Sequence, residues 1–295
     1  MRALAGMALN TFRETTREPF YYLLVSAGVA VLAISLWLRS FTFYHETDMY
    51  KDLGLSFILL FVMLAGLLAA ATGVAREVEA RTAHTILAKS GVRWTFIVGK
   101  YLGVLAGVVL ALAVLGAVFV VAVYYRVEMD AGVLERPYTL SGLGEQVEAF
   151  RWRQINQALT VVPGLVLVGL QVAVLSAVAT ALSARFSAAA SVGLALGVFV
   201  VGHLVVFLES AARTAGAGAR AAAEGVLTLV PFLEIFNIND RLSRSILTPF
   251  ADTGGSTALW GEVWAYVGLA ALYAGAYVAA ALGVATVLFR RRSLA

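Results

Sequence analysis

The chain has 295 residues, 61% of them apolar and 14% charged, with a net charge of +4 and a mean hydropathy of +0.86. Soluble domains average about half apolar and about a quarter charged, so the composition excludes a water-soluble fold and demands a polytopic membrane protein. Cysteine is absent, which removes disulfides, thiol catalysis and thiolate metal sites.

Residues 1–18 place Leu4, Met7, Ala8, Thr11, Phe12 and Thr15 on one helical stripe, with Asn10, Arg13, Glu14, Arg17 and Glu18 opposite. That is the pattern of an amphipathic helix lying in a membrane interface. Six apolar blocks follow, at 20–38, 53–75, 101–125, 161–182, 188–208 and 263–289. Each is long enough to cross a hydrocarbon core of about 30 Å as a helix. Runs such as Leu102 to Val123 are apolar on every side, unlike the alternating strands of a transmembrane β-barrel. Between the third and fourth blocks, 141–159 carries Leu143, Val147, Phe150, Ile155 and Leu159 with Trp152 as an anchor, and reads as a second surface-lying helix. Between the fifth and sixth, 226–238 is mostly apolar, is broken by Pro231 and is too short to span; a re-entrant or interfacial helical element is expected there. The expected fold is all-α: one membrane domain over 1–295 with six transmembrane helices.

An even number of spans leaves both termini on one side. That side comprises 1–19, 76–100, 183–187 and 290–295 and holds 12 Lys/Arg and 4 Asp/Glu in 55 residues, against 10 and 14 in the 103 residues of the other. The positive-inside rule assigns it to the cytoplasm, and Arg290, Arg291 and Arg292 directly after the last block agree.

The six blocks contain no Asp, Glu, Lys or Arg, and such residues are what ion and proton pathways are built from. Gln171 and His203 are the strongly polar side chains inside them. An interhelical hydrogen bond is the expected role of Gln171, and a satisfied packing role that of His203. His45, His84 and His203 are far apart with no second ligand at helical spacing, so no metal site is expected. No hydrolytic motif occurs: His45-Glu46 is followed by Thr47, Asp48 and Met49, and there is no Gly-x-Ser-x-Gly. Lys89-Ser90 comes closest to a phosphate-binding loop, but Ala83 and Ala88 occupy its glycine positions. No catalytic residue is expected on this chain, and any ATP hydrolysis belongs to another polypeptide.

The cytoplasmic stretch 76–100, joining the second and third blocks, is the informative one. Thr82, Thr85, Ile86 and Lys89 fall on adjacent turns of a short helix that Gly91 stops. Glu79, Thr82, Ile86-Leu87, Lys89 to Arg93 and Gly99-Lys100 together resemble the loop after the second span in permease subunits of the type-two ABC exporter family. That loop has a Glu, a Gly-Thr or similar pair, a Leu-Leu pair, a Pro-Val-Ser-Arg-like turn and a Gly-Lys opening the third span; Ser90 stands here where proline is common. The amphipathic start, the run Pro231-Phe232-Leu233 to Phe236-Asn237 and the ending Phe289-Arg290-Arg291-Arg292 extend the resemblance over nearly the whole chain.

The resemblance implies a six-span half-transporter in a prokaryotic inner membrane whose loop helix, about 80–90, docks on a separate nucleotide-binding ATPase subunit. Glu77, Glu79, Thr82, Thr85, Ile86 and Lys89 are the implied contacts, with ATP and Mg on the partner and no cofactor on this chain. A second permease copy or a paralogue completes the assembly, and membrane lipid surrounds it; nucleic acid has no place in it. Export is the implied direction, with no residue selecting a substrate. Arg93 and Lys100 are expected to contact lipid headgroups, and Gly103-x-x-x-Gly107 and Gly193-x-x-x-Gly197 allow close helix approach. The competing reading is a stand-alone neutral-solute facilitator or channel, which lack of intramembrane charge does not exclude.

Overall fold

A computed structural model describes residues 2–37, 46–79, 93–130, 143–205, 230–237 and 256–292. Among these, regular structure is helical throughout: α1 (Arg2–Arg17), α2 (Pro19–Trp37), α3 (Glu46–Glu79), α4 (Arg93–Asp130), α5 (Leu143–Leu159), α6 (Val162–Ser183), α7 (Ala188–His203), a 3-10 turn (Leu233–Phe236) and α8 (Ser256–Arg292). Five helical stretches are long and apolar enough to cross a membrane: Pro19–Trp37, Thr47–Gly73, Trp94–Met129, Phe150–Ser183 and Trp260–Phe289. The chain is an integral membrane protein. α7 is equally apolar, but its 16 residues give a helix of about 24 Å at 1.5 Å per residue.

Helix boundaries follow from local chemistry. Pro19 opens α2 at the first helical position, where its missing N–H is not needed, and the chain bends at Glu18, whose N–H donates to Thr15 O and whose carbonyl accepts from Tyr21 N–H. Ser187 caps α7 by accepting from Ala190 N–H, satisfying one of the orphan donors of a helix start. α3 and α4 run past the apolar blocks at both ends, because the polar residues there continue the helical hydrogen bonding where apolarity stops.

The helix expected over 141–159 forms, but it does not lie free on a surface. Gln154, Asn156 and Ala158 are buried, and Gln154 donates to Tyr124 O of α4. α5 also runs almost directly into α6: Val161 keeps right-handed helical angles, with Thr160 N–H on Asn156 O and Leu165 N–H on Val161 O. Pro163 stands in the first turn of α6, where a missing N–H is tolerated.

The core lies where α3, α4 and α6 meet. Leu55, Ile58, Val62 and Leu67 of α3, Val108, Leu115 and Phe119 of α4, and Leu167, Val172 and Leu175 of α6 are all fully enclosed. α2 and α8 are peripheral, with outward Phe20, Leu23, Ile34, Leu269 and Leu272 well exposed, as lipid-facing positions must be. A second cluster gathers Phe96, Ala181, Ala184, Ala285 and Phe289, with the Phe96 and Phe289 rings stacked at 5.6 Å, and ties the far end of α8 to the start of α4.

Candidate functional site

The amphipathic stripe of α1 is present, and its partner is α4. Met7, Thr11 and Thr15 sit over Gly99, Gly103 and Gly107: a Cβ added to these glycines would come within 2.9 Å of Met7, 2.5 Å of Thr11 and 2.9 Å of Thr15. Both sets step by four residues in the same direction, so the helices run alongside each other with side chains of one filling the missing side chains of the other. At Gly103 the approach is backbone to backbone, with Ala8 O and Phe12 N at 2.6 and 3.0 Å from the added Cβ. Tyr21, at the start of α2, extends the seam by donating its hydroxyl to Gly107 O at 2.8 Å.

Lys100 stands in the middle of this seam. It is 5% exposed, and its ammonium donates to Glu14 at 3.2 Å. The expected headgroup contact for Lys100 is therefore overturned: burial under α1 replaces lipid phosphate with a carboxylate. The side chain of Arg93 lies outside the described residues. Of the expected ATPase contacts, Glu77 and Glu79 fall in the last turns of α3, whose backbone is described; Thr82, Thr85, Ile86 and Lys89 lie outside the described residues. α3 continues to Glu79 and α4 begins at Arg93.

At the other end of the bundle two cations are buried. Lys51, 3% exposed, donates to Gln157 of α5 and pairs with Asp48 at 3.5 Å. Arg126, also 3% exposed, donates through Nη1 to Leu36 O at 2.9 Å, satisfying one of the orphan carbonyls at the end of α2. Its guanidinium lies 5.7 Å from the Tyr50 ring centre. Hydropathy places both residues just outside the apolar blocks; the helices around them exclude water from that level.

The segment 230–237 is wedged among α6, α7 and α8. Phe232 N–H donates to Tyr273 Oη at 2.9 Å, and Tyr266 donates its hydroxyl to Ile235 O at 2.7 Å. Leu233 and Phe236 are buried, and Gly202 lets the turn in, since a Cβ there would meet Leu233 at 2.8 Å and Pro231 O at 2.9 Å. Nearby, His203 Nδ1 faces Phe199 O at 2.9 Å. A carbonyl only accepts, so in the neutral ring Nδ1 carries the proton and Nε2 accepts from the Gln171 amide at 3.2 Å. The expected interhelical role of Gln171 and the satisfied histidine are thus one interaction between α6 and α7.

Among the described residues no group of three or more His, Asp or Glu comes together to hold a metal ion. Comparison with protein-family models and with curated proteins finds no match for the chain.

Proposed function

We propose that this chain is the membrane-spanning permease subunit of an ATP-driven ABC exporter of the type-two family, working with a separate nucleotide-binding ATPase and a second permease copy or paralogue. The observation that supports it most is the unit that flanks residues 80–92. α3 and α4 both overrun the apolar region toward this loop, and α1 is locked to α4 by the Gly99, Gly103 and Gly107 seam, with Lys100 on Glu14. A push applied at the loop by a cytoplasmic partner enters the bundle through helices that cannot yield separately. A chain that moves solute by itself has no need of such a lever.

In this reading α7 is the fifth of six spans, the segment 230–237 re-enters from the outer side, and both termini are cytoplasmic in a prokaryotic inner membrane. Depth along α8 supports the re-entry: Tyr273 lies seven residues beyond Tyr266, so Phe232 sits about 10 Å further along the helix than Ile235, at 1.5 Å per residue. Glu77, Glu79, Thr82, Thr85, Ile86 and Lys89 are the proposed ATPase contacts. The test is affinity purification from the native membrane followed by identification of co-purifying proteins. An ATPase bearing a phosphate-binding loop is the expected companion, and reconstitution of the chain alone should give no solute flux. Stable isolation without such an ATPase, or flux through the chain alone, overturns the proposal.

A further inference from the structure

Where α1 ends and α2 begins, the elbow at Glu18-Pro19 stands off from α3 and leaves a cavity of about 120 Å³. Its origin is a ridge of small residues on α3, Ala65, Ala69 and Gly73, at four-residue spacing and facing the elbow. Gly73 shows the void: it is buried, yet among the described residues a Cβ built on it meets nothing within 4 Å. For scale, an engineered apolar cavity of about 150 Å³ admits benzene, so this one takes a ring or several methylenes of an alkyl chain. The wall is apolar on one side, with Phe20, Leu24, Leu68 and Ala69, whereas Glu14, Glu18, Thr15 and Thr72 supply oxygen atoms.

The charges around the opening are ordered. Glu14 and Glu18 line the cavity, while Arg13 and Arg17, their chain neighbours at the end of α1, are exposed. Glu14 holds Lys100, but a carboxylate has about four acceptor positions, so this pair leaves capacity for a further donor. A ligand matched to this arrangement has an alkyl chain, a cationic N–H donor close to it and an anionic group just outside. We propose that the cavity binds a membrane phospholipid whose headgroup carries a primary ammonium beside its phosphate. One acyl chain enters between α2 and α3, the ammonium donates to Glu14 and Glu18, and the phosphate faces Arg13 and Arg17. A phospholipid with a quaternary ammonium lacks the N–H donors, and one with a phosphoglycerol headgroup carries no ammonium at all. The proposal rests on the α1–α2–α3 geometry alone and stands or falls independently of the transporter reading.

The test uses the full chain reconstituted in nanodiscs containing equal amounts of dioleoyl phosphatidylethanolamine, phosphatidylcholine and phosphatidylglycerol. Lipid retained after detergent extraction is measured by native mass spectrometry. The wild type should retain the ethanolamine lipid roughly tenfold over the choline lipid, as loss of one charge-assisted hydrogen bond implies. Glu18→Gln should remove most of that preference. Gly73→Leu fills the void from α3, and should lower retention of the ethanolamine lipid to the choline level. The open space at Gly73 and the better helix propensity of leucine keep the fold intact, and thermal unfolding of that variant in lipid-free detergent confirms it. Equal retention of ethanolamine and choline lipids by the wild type, preference for phosphoglycerol, or undiminished retention by a folded Gly73→Leu variant would each overturn the proposal.

Discussion

Gly103→Ala is the smallest change that should separate α1 from α4. The new methyl would stand 2.5 Å from Thr11 Cβ, 2.6 Å from Ala8 O and 3.0 Å from Phe12 N, and two of those three atoms are backbone that cannot swing aside. Carbon atoms pack at about 3.5–4.0 Å, so α1 must lift by roughly 1 Å along the seam. That movement stretches the Glu14–Lys100 pair from its 3.2 Å beyond hydrogen-bonding reach and opens the contacts at Gly99 and Gly107. Overpacking of this kind costs up to about 3 kcal/mol, offset by about 1 kcal/mol from replacing glycine inside a helix. The net loss of about 2 kcal/mol shifts docking roughly thirtyfold. Gly193→Ala is the control: among the described residues a Cβ there meets nothing within 4 Å, so only the helix gain remains and the sign reverses. The assay takes advantage of the cysteine-free chain. Thr11, 2% exposed, is replaced by cysteine, and its reaction with a maleimide in detergent is timed with and without Gly103→Ala, beside denaturant unfolding. Thr11→Cys should be protected alone and labelled at least tenfold faster in the double variant, in line with the thirtyfold shift. Equal protection in both, together with unchanged stability of Gly103→Ala, would refute the close-packed seam.

Two further outcomes follow from the polar contacts. Tyr273→Phe removes the acceptor for Phe232 N–H and Tyr266→Phe the donor to Ile235 O; each should cost about 1 kcal/mol, read as faster amide exchange at residues 232–236, while amides of the α3 core stay unchanged. Arg126→Met leaves Leu36 O without this donor and Tyr50 without its cation; a loss of roughly 2 kcal/mol in denaturant unfolding is expected, and Arg126→Lys should restore less than half of it, because an ammonium lacks the planar fork.

What could be read from the sequence divides by the range of the interaction. Five of the spans were legible because about twenty apolar residues in a row leave a helix no other environment, and a lone Gln171 in such a helix had to find a hydrogen bond. That its partner would be His203 was not legible, because the pairing depends on how α6 and α7 are aligned. For the same reason, the burial of Lys51, Lys100 and Arg126 was not legible. Each lies within a few residues of an apolar block, where hydropathy assigns charge to water, but neighbouring helices bury all three. The α1–α4 seam did leave a signal, since Met7, Thr11, Thr15 and Gly99, Gly103, Gly107 repeat with one spacing. Of the proposed ATPase contacts, Glu77 and Glu79 fall at the end of α3, and Thr82, Thr85, Ile86 and Lys89 lie outside the described residues.

The polar ties also indicate where the bundle bends. At one end α1 is held to α4 through Lys100 and Glu14; at the other, Arg126 and Lys51 join α2, α3, α4 and α5. A second group forms around α6, α7, α8 and the 230–237 turn, tied by Gln171, His203, Tyr266 and Tyr273. The backbone passes from the first group to the second at Thr160 to Pro163, and Tyr101 adds a cross-link by donating its hydroxyl to Ala173 O at 3.2 Å. Pro163 gives Leu159 O no donor, so the backbone passage between the two groups lacks one helical hydrogen bond. Pro163→Ala supplies the missing N–H and should let the helical hydrogen bonding run on through 160–163, stiffening the junction by about 1–3 kcal/mol. Amide exchange at 160–165 should slow by tenfold or more, at about 1.4 kcal/mol per factor of ten, while exchange in α3 is unaffected. If the two groups pivot here, the variant should also lose partner-driven transport while remaining folded and inserted. Unchanged exchange at 160–165 would show that Pro163 is no hinge and leave the two groups joined by Tyr101, the apolar packing of α3 on α6 and the Phe96–Phe289 stack.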